Sequence, residues 1–223
     1  DHKRVGEKDT GPNTGGMGTY SDADHSLPFL QPSDIEEAKT INEATAAAIK
    51  KECGMGYKGV LYGGFMATKD GVRVIEYNAR FGDPEALNIF ALLMSDFVET
   101  CLAIINGTLA QEHFLFEKKA SVCKYAAPEG YPTSPLKNEL IDISGVRDQE
   151  HLYLAAVDSR DNSLYMTGSR TAGFVGIGDT IAEAEQIAQA EIERIKGTLF
   201  YRRDVGTKEL IAKRVDMMNE LRS

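Results

Sequence analysis

In the run Val74-Ile75-Glu76-Tyr77-Asn78-Ala79-Arg80-Phe81-Gly82-Asp83-Pro84-Glu85, polar side chains crowd behind a short apolar pair. Side chains of an extended segment alternate faces, so Val72, Val74, Glu76 and Asn78 are expected on one face, with Glu76 and Asn78 about 7 Å apart along the chain. A carboxylate and a carboxamide so placed offer hard oxygens to one ion, which suits Mg²⁺ or Mn²⁺ better than zinc. A magnesium site needs few protein ligands, because water and nucleotide phosphates complete its shell. Arg80 keeps the same side if the strand extends that far, and its guanidinium would then grip a phosphate or carboxylate in bidentate fashion. The rival reading is a solvated strand end with a surface ion pair.

A second group lies near the start of the chain. Gly-Pro-Asn-Thr-Gly-Gly-Met-Gly (11–18) has several backbone amides that can form an anion-binding nest. Asp9 and Asn13 are placed to hold an ammonium or amide, and His2, Lys3 and Arg4 to meet phosphate. No Gly-Lys-Ser/Thr follows, so this is not a Walker A loop, and no strand precedes it as a dinucleotide fingerprint requires. A flexible loop and solvated charge are the rival readings. Gly63 and Gly64 interrupt an apolar strand, which costs stability. Close approach of a flat ligand or another backbone explains them, and so does a bulge.

The elements that position these groups alternate in type. Ser33 with Glu36 fits a capping box, and Ile35, Ala38, Ile41, Thr45, Ala48 and Ile49 predict a helix face ending near Cys53 at Gly54 and Gly56. Strands 59–68 and 72–77 are expected to form a hairpin about a Lys69-Asp70-Gly71 turn. A single helix is expected within 85–106. Residues 108–119 read as a boundary. Short strands are expected at 120–127, 139–143, 152–157, 163–168 and 172–177, with a turn at 159–163. A helix over 179–196 starts at a Thr180/Glu183 cap, and a last helix covers about 207–221. The class is α+β in two parts.

Net charge is −9, which disfavours a broad electrostatic grip on nucleic acid or anionic lipid. No apolar run approaches the roughly 18 residues that span a bilayer. Cys53, Cys101 and Cys123 are odd in number and widely spaced, so they are expected as free buried thiols in a reducing cytoplasm. The chain opens at Asp1, and its dense polar start reads as part of something longer.

Three stretches, Asp1–Ser21, Gly56–Met66 and Val74–Glu85, together resemble the phosphoribosylamine–glycine ligases (glycinamide ribonucleotide synthetases) of the ATP-grasp superfamily. The resemblance continues through Thr167–Gly197 and Tyr201–Gly206. It implies the second part of an ATP-grasp domain over 1–110 and a small mixed α+β C-terminal domain over 120–223. It also implies that ATP phosphorylates the glycine carboxylate and that the amine of 5-phosphoribosylamine attacks the glycyl phosphate. Glycinamide ribonucleotide, ADP and phosphate result, in de novo purine synthesis. Glu76 and Asn78 match the family's divalent-metal ligands, and Arg80 the arginine facing the reacting phosphate. Lys3, Arg4, Asp9, Asn13, Thr14, Gly15, Gly16 and Asp83 are expected to bind substrate or phosphate. The family's N-terminal half, with its phosphate-covering loop and adenine-holding strand, lies outside this chain. The isolated portion is therefore expected to lack catalysis and to bind nucleotide weakly.

Overall fold

The computed structural model describes residues 1–110 and 114–223, so the centre of the expected boundary at 108–119 lies outside the described residues. In chain order the elements are β1 (Arg4–Gly6), a 3-10 turn (Glu7–Asp9), β2 (Thr10–Asn13), β3 (Gly18–Ser21), α1 (Pro32–Cys53), β4 (Tyr62–Thr68), β5 (Gly71–Asn78), α2 (Glu85–Leu92) and α3 (Phe97–Asn106). There follow β6 (Ala120–Pro128), β7 (Leu140–Ile141), β8 (Leu152–Leu154), β9 (Val157–Arg160), β10 (Ser163–Met166), β11 (Ala172–Gly178), α4 (Ile181–Ile192), β12 (Leu199–Phe200) and α5 (Lys208–Arg222). Contacts gather them into two compact units. One holds Asp1–Leu27, Asp83–Leu92 and Lys118–Lys213; the other holds Pro28–Gly82, Leu93–Glu117 and Arg214–Ser223.

In the first unit, β6 is buried along its whole length. It pairs antiparallel with β11 on one edge and with β3 and β12 on the other, and β8 continues the sheet beyond β11. Helix α4 covers the sheet, and Val122, Phe174, Ala184, Ala188, Ile192 and Val205 form the core between them. Burying each large apolar side chain there contributes about 1.5–3 kcal/mol. The helix comes close because Gly176 has no side chain: a Cβ there would stand 2.0 Å from the Ala184 carbonyl oxygen. Thr180 caps α4 as expected, its Oγ1 accepting from the Glu183 amide at 3.2 Å, while the Glu183 carboxylate accepts from the Asp179 amide. The helix ends at Ile192, short of the expected 196, and the turn that follows folds Ile195 back into the core. A separate sheet runs β7–β10–β9 about the Asp161-Asn162 turn, where both residues have positive φ. The expected strand at 152–157 is broken at Ala155–Ala156, whose amides turn to the Thr171 and Arg170 carbonyls.

In the second unit, α1 begins two residues earlier than the Ser33 cap implied. Its N-terminal turn closes on Gln31, whose amide donates to the Asp34 carboxylate at 2.7 Å. Gly54 ends it at φ 72°, the left-handed conformation glycine adopts without strain. Ala38, Ile41, Thr45 and Ile49 are half-buried, whereas Ile35 and Ala48 face solvent. The single helix expected within 85–106 is two helices. Asp96 caps a fresh start by accepting from the Val98 and Glu99 amides, and the Met94 amide turns aside to the Leu115 carbonyl. α3 leaves Val98, Leu102 and Ile105 exposed.

The hairpin β4–β5 forms as expected, with a register shift. Gly64 pairs with Glu76 but Phe65 pairs with Val74, so Ile75 is an extra, bulged residue. Paired residues of an antiparallel ladder point to the same side. Val72, Val74 and Tyr77 therefore share a face with Phe65 and Ala67, while Glu76 and Asn78 share the opposite face with Gly64 and Tyr62. This corrects the expectation that Val72, Val74, Glu76 and Asn78 share one face. α1 packs on the first face, where Tyr77 stands edge-on to Phe65 and its hydroxyl meets Thr45 Oγ1 at 3.0 Å. A Cβ on Gly63 would be 2.6 Å from the Phe65 ring and 2.9 Å from Asn42 Oδ1 of α1, so that glycine leaves room for both.

Candidate active site

Glu76 and Asn78 occupy the hairpin face that α1 does not cover. Glu76 is exposed, Asn78 is half-buried, and Asn78 Nδ2 lies 3.3 Å from Glu76 Oε1. The bulge at Ile75 thus turned both side chains together, and they converge on one point. A half-turn of the carboxamide about its last torsion presents its oxygen in place of the nitrogen, giving two hard oxygens side by side. That donor set fits Mg²⁺ or Mn²⁺, with the remaining positions open to water and phosphate. Among the described residues no group of three or more His, Cys, Asp or Glu side chains is placed to hold a metal ion.

Gly64 pairs with Glu76 on this face, where a Cβ would sit 3.5 Å from Glu76 Cγ. The strand ends at Asn78, so Arg80 is not on its extension. Arg80 is exposed in the bend that follows, and Nη1 donates to the Phe81 carbonyl at 2.8 Å. The condition for Arg80 to share the face of Glu76 and Asn78 is therefore not met.

The other group belongs to the first unit. The glycine-rich segment is zipped onto the chain start rather than open. The Thr14 amide donates to the Lys3 carbonyl, the Met17 amide to the His2 carbonyl, and the Gly16 amide to Thr14 Oγ1. Thr14 Oγ1 in turn donates to the Lys3 carbonyl at 2.9 Å. The Thr14, Gly16 and Met17 amides of the expected anion nest are thus directed at the protein's own oxygens. What the loop presents to solvent is side chains: Lys3, exposed and 2.8 Å from Asp1; Arg4, exposed and bonded through Nη1 to the Gly11 carbonyl; and Asn13, exposed opposite Arg4 in the β1–β2 ladder.

Asp9 faces inward to Arg202, whose side chain is 1% exposed. Arg202 Nη1 donates to Asp9 and to the Arg4 carbonyl, while Nε and Nη2 form a bidentate pair with Asp204. His2 is buried beside them, its Nδ1 3.8 Å from Asp9 Oδ1 and without a hydrogen-bond partner. Burial, aided by nearby positive charge including Arg202, lowers its pKa to about 3, so the ring is neutral at pH 7. Lys124, wholly buried on β6, donates to Glu185, Gln189 and the Arg203 carbonyl, which anchors the same Tyr201–Gly206 segment. Asp83 and Gly16 are both held by Arg170: Nη1 donates to the Gly16 and Asp83 carbonyls, and Nη2 to Asp83 Oδ2 at 2.9 Å. Gly15 lies against the same guanidinium.

Sequence reasoning missed Arg170 and Arg202 as parts of the site. Arg202 stands two residues before Asp204 in the chain, a visible signal for an ion pair, but nothing in spacing alone ties either arginine to residues over 150 positions away.

A helix-backed hairpin ending in a metal-competent acid–amide pair, together with a small antiparallel α+β domain, defines the second part of an ATP-grasp domain followed by a mixed α+β C-terminal domain. The biotin carboxylase domain of a thermophilic 2-oxoglutarate carboxylase shares this fold at a TM-score of 0.58 and 15% identity, covering 98% of this chain and 45% of that one. The crystal structure of phosphoribosylamine–glycine ligase from Thermotoga maritima matches at a TM-score of 0.78 and 32% identity, over 92% of this chain and 50% of that one.

Residues 1–86 match the family model for the phosphoribosylglycinamide synthetase ATP-grasp (A) domain, and residues 121–208 that for its C domain. The phosphoribosylamine–glycine ligases of Methanosarcina barkeri and Methanocaldococcus jannaschii are 50% and 51% identical over the whole of this chain. The chain belongs to the phosphoribosylglycinamide synthetase family. It spans about half the length of these relatives, 51% and 50% respectively.

Proposed function

We propose that the chain is a portion of an ATP-dependent carbon–nitrogen ligase that joins glycine to 5-phosphoribosylamine, giving glycinamide ribonucleotide, ADP and phosphate in purine synthesis. Residues 1–110 form the second part of its ATP-grasp domain and 120–223 its C-terminal domain. The missing N-terminal half is its necessary partner, so the isolated portion is inactive. Its setting is the cytoplasm, with no nucleic-acid or membrane partner; among the described residues no helix is long and apolar enough to cross a membrane.

The observation that carries this reading is the pair Glu76–Asn78, brought within 3.3 Å on an exposed strand face. These two side chains would hold Mg²⁺ or Mn²⁺, which neutralises the charge that gathers on the phosphates of ATP. Arg80, two residues on and exposed, swings from the Phe81 carbonyl to the transferring phosphoryl group, where a planar cation is worth most. Lys3, Arg4, Asn13 and Thr14 hold the phosphorylated amine, and Asp9, Gly15, Gly16 and Asp83 keep that segment in shape. Water must be excluded, because an acyl phosphate hydrolyses.

The test is ATP- and glycine-dependent phosphate release by the intact ligase. Glu76→Ala abolishes it while circular dichroism and melting stay those of the parent. Undiminished release by that variant would overturn the assignment.

A further inference from the structure

Arg170 lies in the loop between β10 and β11, far in sequence from every residue discussed as a substrate contact. Its guanidinium joins three other segments of the first unit. Nη1 donates to the Gly16 carbonyl at 3.0 Å and to the Asp83 carbonyl at 3.0 Å, Nη2 donates to Asp83 Oδ2 at 2.9 Å, and the plane lies over the Tyr125 ring at 4.7 Å. The Arg170 side chain is 14% exposed and that of Asp83 is 52% exposed, so the bond to the Gly16 carbonyl is the sheltered one and the Asp83 carboxylate reaches toward solvent.

Gly15 is explained by the same group. A Cβ there would stand 2.9 Å from Nη2, so any other residue displaces the guanidinium. The Tyr125 hydroxyl stays protonated, since burial first and the Asp83 charge second raise its pKa. It is a hydrogen-bond donor to the Asp83 carboxylate.

Fixing Gly16 has a consequence for the chain start. Thr14 receives the Gly16 amide and grips the Lys3 carbonyl twice, through its own amide and its hydroxyl. The position of the Lys3 backbone therefore follows the position of Gly16. We infer that Arg170 is a positioning residue for the phosphorylated amine substrate: it locks Gly16 to Asp83 and thereby sets where Lys3 and Arg4 meet the substrate's phosphate. This rests on the proposed ligase reading. Lysine cannot replace it, because an ammonium lacks the flat fork that reaches three oxygens while stacking on a ring.

The test compares Arg170→Lys, Arg170→Met and Asp83→Asn in the intact ligase, each assayed well below its own melting temperature. Displacement of a binding group by about 1 Å costs up to about a hundredfold. The KM for 5-phosphoribosylamine is expected to rise about tenfold or more in both Arg170 variants, with the KM for ATP within about twofold of the parent. Asp83→Asn keeps the backbone acceptor and shows a smaller rise in the same constant. The double variant Arg170→Met/Asp83→Asn is no worse than Arg170→Met, because the two groups act as a unit.

Hydrogen exchange at the Gly16 and Met17 amides, read on the 223-residue chain itself, accelerates in the Arg170 variants relative to the β6 amides. If the parent ligase releases no phosphate with glycine and 5-phosphoribosylamine, the functional reading fails, and the lock is judged on exchange alone. If the parent is active and Arg170→Lys leaves the amine KM unchanged, or raises the ATP KM equally, the inference fails. Unchanged exchange at Gly16 and Met17 also overturns it.

Discussion

Replacing Arg202 with Met removes a buried cation while keeping most of its volume. The guanidinium makes four charge-assisted hydrogen bonds, two to Asp204, one to Asp9 and one to the Arg4 carbonyl. Its loss leaves two carboxylates facing a thioether. Removing one partner of a buried ion pair costs about 3–5 kcal/mol, because the stranded charge cannot recover its hydration. For a chain of this size that lowers the melting temperature by about 6–20 °C.

The effect depends on pH. Burial pushes the Asp204 pKa up, but hydrogen bonds from Arg202 and from the Lys8 amide outweigh it and hold the carboxyl below its ordinary 3.8. A carboxyl whose folded pKa is depressed contributes stability above its unfolded pKa, and that contribution disappears as pH falls through the folded value. The gap between parent and variant is therefore largest at neutral pH and narrows below pH 3.8. Urea unfolding at pH 7 and at pH 3 measures it. A loss under about 1 kcal/mol at pH 7, the size of an exposed ion pair, would refute the claim that this arginine anchors the chain start. A gap that stayed constant with pH would refute the part assigned to Asp204.

Gly176→Ala is expected to cost about 3 kcal/mol, the top of the usual range for overpacking, because the new Cβ meets the backbone of α4 at Ala184 and Ala188. A urea midpoint equal to that of the parent would show that α4 can move away freely. Alkylation at pH 8 should modify exposed Cys53 quickly and spare Cys123, which is buried and whose thiol pKa burial pushes up; peptide mass spectrometry reads both sites. Arg80→Ala should lower turnover of the intact ligase far more than it lowers melting temperature, since the side chain is exposed and makes one local bond. Equal losses in both would make Arg80 structural.

Much of the fold was legible because its signals are local. The α4 start at Thr180, the Gly54 stop of α1 and the hairpin about residues 69–70 each follow from neighbouring residues. Long-range pairing was not legible. β3 carries no local signal, because it is four residues long and forms only against β6, about a hundred positions away. The split between α2 and α3 depends on Asp96 acting as a cap, which an unbroken apolar pattern conceals.

The candidate site divides the same way. Glu76 and Asn78 were found from alternation, and they do share a face; the bulge at Ile75 changed which face, since one inserted residue reverses every side chain beyond it. Of the cysteines expected to be buried, Cys53 is exposed at the end of α1 and Cys101 is half-buried. Asp9 and Asp83 were visible as acids, but their arginine partners lie 193 and 87 positions further along the chain.

Divalent-cation uptake addresses the acid–amide pair most directly. Titrating Mn²⁺ into the intact ligase with ATP present, and following the electron paramagnetic resonance signal of the free ion, reads binding without relying on turnover. Glu76→Gln and Asn78→Leu are each predicted to weaken nucleotide-dependent uptake about tenfold or more, which is about 1.4 kcal/mol, with the fold intact. Uptake as tight in both variants as in the parent would contradict the account.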